Sequence, residues 1–386
     1  MTNLLNRIRN QFINIQPPTP GIYHYISPQD DPRNYRLHLR IEPDHSGILI
    51  INASTILHLN QTAAEYAYYL IKNINQEDVG KIITKRYNIP PEQAQDDYQN
   101  IIDRIQILIN TPDLDPITFL DFDRKQPFSG FIPAPYRLDC ALTYQLPPSV
   151  DPQSAPLDRV KVELSTQDWI KIINKAHELG IPHLVFTGGE PTLRDDLLEL
   201  LNLAESNNQV TGILTDGLCF TDQEFLNQVL MTGLDHLMML FNPKNDDSWS
   251  ALENLLKADL YVAIHLTLLD DNKDHVINLI DTLFQKGIKA ISLSTSNPDR
   301  EELLELTRNY VSDLNLELIW NLPVPYSACN PIAIETNQSE EREGAGRAWL
   351  YIEPDGDVLP SQGINKVLGN ILTDGWDVIW QNARSQ

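Results

Sequence analysis

The sequence predicts an α/β protein built around a series of alternating strands and helices. From residue 136 to 325, short apolar β-rich runs alternate with amphipathic helical segments. The segment before this series has strands followed by helices, and the segment after it has the signature of a hairpin. At 386 residues the chain is too long for one ordinary core, so several domains are expected.

Composition and charge narrow the classes of function. Hydrophobic residues make up 42% of the chain and charged residues 21%, which is typical of a folded globular protein. The 53 acidic and 29 basic residues give a net charge of −24, which repels phosphate backbones and anionic bilayers. We therefore expect no nucleic-acid or membrane partner, whereas a basic peptide or protein surface is favoured. The N-terminus lacks the features of a signal peptide, so a cytoplasmic location is expected.

Residues 1–115 predict a small α+β domain that resembles a winged helix. The predicted strands cover residues 35–41, 47–52 and 55–59, and the predicted helices begin after Asn60, near Val79 and at Pro91. Residues 116–135 are rich in Pro, Asp and Phe without a lasting period, and they predict a linker.

Residues 136–325 predict a parallel sheet buried on both faces. The predicted strands are 137–144, 183–186, 210–214, 236–241, 261–269, 290–293 and 316–320. Apolar strands in repeated strand–helix units indicate a partial or full βα barrel, whose site would lie at the carboxyl ends of the strands. In the tail, residues 326–386, Asp355-Gly356 predicts a hairpin turn and the run through Trp376 and Trp380 a last helix.

A Gly-Gly-Glu-Pro motif stands where the second predicted strand of the series enters a loop. Residues 186–192 form the run Phe-Thr-Gly-Gly-Glu-Pro-Thr. The two glycines allow the backbone to come close to a ligand, and the proline restrains the chain beside the carboxylate. Taken alone, such a glycine pair predicts a tight turn.

In its context this motif resembles the radical S-adenosylmethionine (SAM) superfamily. The runs that carry the resemblance are 138–144, 180–194, 215–217 and 233–236. The tail, at 353–360 and 368–374, resembles the SPASM-type extension of that superfamily. The N-terminal segment, where Leu59 to Tyr66 turns from strand into helix, resembles the PqqD-like peptide-recognition domain. The resemblance implies a radical SAM-type barrel between these two smaller parts.

The resemblance also implies a binding site and a partner. In the superfamily the Gly-Gly-Glu-Pro loop binds the amino group of SAM, a role that falls here on Thr187, Gly188, Gly189 and Glu190. Asp216, at the end of the next predicted strand, is a further candidate for holding a ribose or an amine, with a plain turn residue as the alternative. The PqqD-like domain implies a peptide partner that adds a strand to the edge of its sheet.

The cysteines that would hold the superfamily's iron–sulfur cluster are absent from this sequence. A CxxxCxxC motif is expected after the first strand of the barrel, but its three positions fall on Leu146, Val150 and Gln153. Because thiolates hold such clusters, no cluster is expected. Ser361 stands where SPASM relatives often carry a cluster cysteine, so the second cluster site is in doubt as well.

The remaining candidates have plainer interpretations. Cys140, Cys219 and Cys329 are expected to be buried, reduced thiols, with a rebuilt cluster as the alternative. His265 is interpreted as a hydrogen-bonded core histidine rather than a base, and His183 and His236 are given no role. The acids of Arg194-Asp-Asp196 are interpreted as helix caps, and Arg347 with Glu353 as a surface pair.

The sequence therefore predicts a cluster-less, radical SAM-like pseudoenzyme that binds a peptide or protein beside peptide modification. No catalytic residue and no metal ligand is predicted. One alternative is an enzyme that uses SAM or another nucleotide in polar, non-radical chemistry at the Gly-Gly-Glu-Pro loop. The other is a radical enzyme whose cluster has unexpected ligands.

Overall fold

The computed structural model describes residues 16–28, 30–111, 132–269, 273–295, 297–337 and 344–385. The chain folds as two compact units, residues 1–131 and 132–386. Of the predicted linker at 116–135, only residues 132–135 lie within the described ranges. No helix of the described ranges is both long and apolar enough to cross a membrane.

In its described residues, the first unit is an antiparallel sheet of four strands followed by three helices. The strands are β1 (Gly21–Ile26), β2 (Arg36–Ile41), β3 (Gly47–Ile51) and β4 (Thr55–Leu59), and the helices are α1 (Gln61–Ile71), α2 (Gln76–Arg86) and α3 (Pro91–Asn110). The strands neighbour one another in chain order, so β1 and β4 form the two edges. The predicted helices and the strands β2 to β4 are confirmed. The sequence did not predict β1, because none of its side chains is fully buried and it shows no alternation of buried and exposed residues.

Local sequence signals explain where these helices begin. The Asn60 side chain accepts a hydrogen bond from the Ala63 amide at 2.9 Å, which caps α1 as predicted. Pro91 occupies the first turn of α3, where no backbone donor is needed. One face of the sheet then packs on α1 and α3 through a shared apolar core, which includes Leu37, Leu39, Leu49, Leu57, Ala64, Ala67, Ile105 and Leu108.

The second unit is built on a sheet of ten strands. The strands are β5 (Arg137–Thr143), β6 (His183–Gly188), β7 (Val210–Thr215), β8 (His236–Leu240), β9 (Tyr261–Thr267), β10 (Ala290–Ser294), β11 (Glu317–Leu318), β12 (Trp349–Ile352), β13 (Asp357–Leu359) and β14 (Gly369–Asn370). The helices are α4 (Thr166–Glu178), α5 (Leu197–Ser206), α6 (Gln223–Met231), α7 (Asp246–Leu255), α8 (Lys273–Gln285), α9 (Glu301–Asp313) and α10 (Trp376–Arg384).

Seven of these strands form a large parallel sheet. Strands β5 to β11 are parallel neighbours in chain order, with β11 at one end of the sheet in the described part of the chain. The coarse prediction of an α/β protein with a large parallel sheet is confirmed. Five inner residues, one each from β6 to β10, form an apolar layer that comprises Val185, Leu214, Met238, Ala263 and Ala290. Since both faces of such a sheet are covered, most side chains of these strands are buried and many are apolar.

The predicted hairpin of the tail joins the same sheet. Strand β12 pairs in parallel with β5, and β13 pairs with β12 in the antiparallel sense around Asp355-Gly356. The hairpin itself is confirmed. Its pairing with β5 was not predicted, because a parallel contact between residues about 210 positions apart leaves no local mark in the sequence.

Candidate functional site

The Gly-Gly-Glu-Pro loop lies at the carboxyl end of β6, against the end of β5. The amide of Gly189 donates to the Thr143 carbonyl at 2.8 Å, and the amide of Glu190 donates to the Gln145 carbonyl at 2.9 Å. A Cβ atom on Gly188 would lie 2.2 Å from the Thr143 oxygen, and one on Gly189 would lie 2.2 Å from the Gln145 oxygen. Both glycines are therefore required by the close approach of two backbones.

The Glu190 carboxylate is buried and accepts four hydrogen bonds from its own surroundings. Its Oε1 accepts from the Thr192 amide at 2.9 Å, from the Thr192 hydroxyl at 2.5 Å and from the Thr215 hydroxyl at 2.8 Å. Its Oε2 accepts from the Asp216 amide at 2.7 Å. Burial and the neighbouring Asp216 carboxylate raise the pKa of Glu190 above its ordinary value. Glu190 therefore ties the loop after β6 to the loop after β7.

Asp216 follows β7 directly, as predicted, and its Oδ1 accepts from the Leu218 amide at 2.9 Å. Burial raises the pKa of Asp216. Thr187, the first of the predicted site residues, is buried, and its hydroxyl has no hydrogen-bond partner in the described part of the chain.

A cavity of about 410 Å³ opens at the carboxyl ends of β5 to β9. Of the five predicted site residues, Gly189, Glu190 and Asp216 line it, whereas Thr187 and Gly188 are not among its lining residues. The volume falls within the range of small-molecule and side-chain sites, roughly 300–1,000 Å³. The structure therefore places a cavity at the strand ends where a βα barrel is expected to have its site.

The loop after β5, residues 144–164, forms one wall of this cavity. Leu146 and Val150, two of the three positions expected to carry cluster cysteines, line the cavity, and the third, Gln153, is exposed to solvent. The Glu163 carboxylate accepts from the Thr143 hydroxyl at 2.9 Å and from the Tyr144 amide at 2.8 Å. These contacts anchor both ends of the loop to β5.

A polar group that is partly buried, here called the Arg159 cluster, joins this loop to the tail. It consists of Tyr144, Arg159, Tyr326, Glu335 and Glu353. The Arg159 guanidinium donates to the Tyr326 hydroxyl at 3.0 Å and to Glu335 at 3.4 Å, and its Nε lies 3.6 Å from Glu353. The Tyr144 hydroxyl donates to Glu353 at 2.8 Å. Burial raises the pKa of both glutamates.

The Arg159 cluster corrects one sequence interpretation. Glu353 was interpreted as half of a surface pair with Arg347, but its side chain is buried and accepts from Tyr144. Sequence reasoning missed Arg159 because a lone arginine in a proline-rich loop has the pattern of a solvated charge. Its one signal is the length of the segment between β5 and α4, since long irregular connections within compact domains are uncommon.

The contacts of Arg194 and Asp196 differ from the helix-capping role that the sequence interpretation gave to the acids of Arg194-Asp-Asp196. Asp196 does occupy the position before α5, but its carboxylate makes no capping hydrogen bond. It pairs instead with the Arg194 guanidinium, through contacts of 2.8 and 2.6 Å. Arg194 also donates to the carbonyls of Leu142 and Leu164, at 3.1 and 3.3 Å. The arginine thus clamps the same loop that Glu163 anchors.

The cysteines do not form a set that fits an iron–sulfur cluster. Cys140 is fully buried inside β5, and burial raises the pKa of its thiol. Cys219 and Cys329 are half-buried rather than buried as expected, and only Cys329 lines the cavity. Within the described ranges, no three His, Cys, Asp or Glu side chains are grouped so that they could hold a metal ion.

Three histidines of the parallel sheet have defined partners. His265 is buried, with its Nδ1 3.0 Å from the Ser292 hydroxyl and its Nε2 2.9 Å from the Ser294 hydroxyl, so the interpretation as a hydrogen-bonded core histidine is confirmed. The ring also lines the cavity. His183 and His236, at the amino ends of β6 and β8, lie with their Nε2 atoms 2.7 Å apart. Burial and the charge of Arg137 lower the pKa of His236 to about 4.

Solved structures share this architecture, whereas no protein-family model matches the sequence. Streptococcus suis SuiB bound to the precursor peptide SuiA is 15% identical, with a TM-score of 0.57. The same protein bound to S-adenosylmethionine is 16% identical, with a TM-score of 0.55. Each comparison covers 92% of this chain and 88% of the SuiB chain. At these identities the likeness shows that the chain has the fold of SuiB over nearly its whole length.

Proposed function

We propose that this chain is a peptide-binding protein that acts beside a peptide-modifying reaction and does not itself carry an iron–sulfur cluster. One observation carries the proposal. The loop at which the radical SAM resemblance expects three cysteines has Leu146, Val150 and Gln153 instead, and polar side chains of the protein hold it in place. Such a loop has no thiolates to offer iron, so we assign the chain no radical step.

The peptide-binding part of the proposal rests on the first unit and on the shared fold. SuiB, which has this fold, was crystallised with a precursor peptide. The four-stranded sheet of the first unit has β1 and β4 as its edges, and an extended peptide can add a strand to such an edge through main-chain hydrogen bonds. The net charge of −24 favours a neutral or basic peptide over an acidic one. A PqqD-like role for residues 1–115 is part of this proposal.

An iron assay tests the absence of a cluster. The full chain would be purified without oxygen and incubated with ferrous iron, sulfide and a thiol reductant, and its iron content and visible absorption would then be measured after desalting. We expect a colourless protein with no bound iron beyond that of a serum albumin control treated in the same way. A brown protein with several irons per chain would support the alternative of a cluster with unexpected ligands and would end the pseudoenzyme proposal.

A selection experiment tests peptide binding. Random linear peptides displayed on phage would be selected on the full chain, and the enriched sequence would be synthesised and titrated by calorimetry. We expect saturable binding of a neutral or basic peptide and much weaker binding of a scrambled control, and binding of a basic peptide should weaken with salt. Failure to enrich any sequence above an unrelated acidic protein of similar charge would refute the proposal.

A second candidate function is a SAM-dependent enzyme that uses polar chemistry. It is favoured by the position of Gly189, Glu190 and Asp216 on the cavity wall, where the two carboxylates would hold the ammonium group of SAM. When bound, SAM supplies a carbon activated by its sulfonium. Calorimetric titration with SAM tests this second candidate. The candidate requires that the unmodified chain binds SAM, that Asp216→Asn loses this binding, and that the control Glu178→Gln, at an exposed position, keeps it. Absence of binding to the unmodified chain at millimolar SAM would remove it.

A further inference from the structure

The surface that the cavity offers to a ligand is largely apolar. Six leucine and valine side chains that line it are not fully buried, which means that they can contact a bound group; these are Leu146, Val150, Leu218, Leu240, Leu269 and Leu279. They come from the loops after β5, β7 and β9, from the carboxyl end of β8 and from α8. Apolar side chains gathered in a concave site, rather than scattered over a surface, indicate a binding function.

Several polar groups of the cavity wall are already bonded to the protein. Glu190 accepts four hydrogen bonds from the loops after β6 and β7. Both ring nitrogens of His265 lie within hydrogen-bond distance of serine hydroxyls. The Tyr326 hydroxyl is bonded to Arg159 and Glu335. A polar ligand would have to compete with these contacts, and a buried group that loses its partner costs about 1–3 kcal/mol. An apolar group can bind without breaking any of these hydrogen bonds.

Charge narrows the class of apolar ligand further. The net charge of −24 disfavours fatty acids, acyl phosphates and nucleotides, which are anionic. A residue of a neutral or basic peptide has no such penalty. Lys244, which is exposed and lines the same cavity, can donate to the main-chain carbonyls that accompany a peptide side chain.

We propose that this cavity holds a large apolar side chain, such as leucine, methionine or phenylalanine, of a peptide bound by the protein. The inference rests on the peptide-binding function proposed above and adds the class of residue that the barrel recognises. A leucine that leaves water for such a site gains about 1.5–3 kcal/mol, which corresponds to an affinity at least about tenfold higher than that of a serine in its place.

The test uses the full chain and the uncharged apolar fluorophore N-phenyl-1-naphthylamine. We expect a saturable rise in its fluorescence. N-acetyl-leucinamide should reverse this rise at a concentration at least about tenfold lower than N-acetyl-serinamide does. Ala328 is exposed and lines the cavity, so Ala328→Trp should fill the space and weaken fluorophore binding at least tenfold. Ser327→Phe provides a second filling variant, and Met231→Trp, at an exposed position of α6 outside the cavity, is the matched control.

The outcomes separate this inference from the function on which it rests. If Ala328→Trp, Ser327→Phe and Met231→Trp all bind the fluorophore like the unmodified chain, or if the two amides compete equally, the inference is wrong. It is also wrong if SAM displaces the fluorophore more effectively than N-acetyl-leucinamide does. If the selected peptide still binds while the apolar site fails these tests, the peptide-binding proposal stands alone. If no peptide binds, the proposed function has failed, whatever the fluorophore does.

Discussion

Replacing Arg159 by methionine tests whether the loop after β5 is held by the Arg159 cluster. The Arg159 side chain is 24% exposed, while the side chains of Glu335 and Glu353 are 12% and 6% exposed. Methionine keeps most of the apolar stem of arginine, so the change removes the charge and its contacts more than it removes packing. The buried carboxylate of Glu353 and the half-buried carboxylate of Glu335 would then lack their cation.

The expected cost follows from these contacts. Removing one partner of a buried ion pair costs about 3–5 kcal/mol. The contact of 3.4 Å to Glu335 and the approach of 3.6 Å to Glu353 are long, which places the expected loss of unfolding free energy near the lower limit, about 3 kcal/mol at neutral pH. Burial raises the pKa of both glutamates, and loss of the cation raises it further. Because carboxyls with raised pKa values bind more protons in the native state than in the unfolded state, the loss should grow from pH 5 to pH 7.

Tryptophan fluorescence during unfolding in urea is the assay. All six tryptophans lie in the second unit, so the signal reports the unit that contains Arg159. The control is Arg308→Met, which removes a half-buried arginine that stacks on the Trp320 ring at 4.7 Å and should cost about 1 kcal/mol or less. A loss for Arg159→Met that is no greater than that of the control, or one that is larger at pH 5 than at pH 7, would refute the reasoning.

Two further predictions concern the site and the histidine pair. Gly189→Ala would place a methyl group 2.2 Å from the Gln145 oxygen and should cost about 2 kcal/mol or more of unfolding free energy in the same assay. Gly375→Ala, whose added methyl group would have nothing within 4 Å, should be nearly neutral. Equal effects of the two substitutions would contradict the close-approach argument. His236 has a pKa of about 4 in the folded chain against an ordinary value of 6.5, so its contribution to stability is complete above pH 6.5 and declines as the pH falls towards 4. Between pH 7 and pH 5 the unmodified chain should therefore lose about 2 kcal/mol that His236→Phe does not lose, and a pH dependence shared by both proteins would show that His236 is not the cause.

Much of the local structure was readable in the sequence. Asn60 caps α1 as a side-chain acceptor at the position where that helix was predicted to begin. The apolar runs of the barrel strands were recognisable because both faces of a parallel sheet are covered. The glycine pair at the end of β6 was also recognised, from its context in the radical SAM-like motif rather than from the two glycines alone.

The candidate site was predicted only in part. The position of Glu190 and Asp216 at neighbouring strand ends followed from the order of the strands. The hydrogen bonds by which Glu190 joins the two loops could not be predicted in this way. The donors to Glu190 include the Thr215 hydroxyl and the Asp216 amide, which are 25 and 26 residues away. The apolar lining of the cavity could not be predicted either, because the sequence around a leucine in a loop does not indicate whether its side chain faces a cavity or a core.

The sequence by itself determined most element types other than β1, the order of those elements, and the presence of Leu146, Val150 and Gln153 where the resemblance expects cysteines. These properties depend on residue identity and on spacing over a few positions. Such short-range patterns can be recognised because each type of element has its own backbone period. Only the tertiary structure decided which residues contact the loop after β5. Tyr144 meets Glu353 across 209 residues, and Arg159 meets Glu335 across 176. Contacts of this range are set by how the parallel sheet and the tail pack together, and no local pattern encodes them.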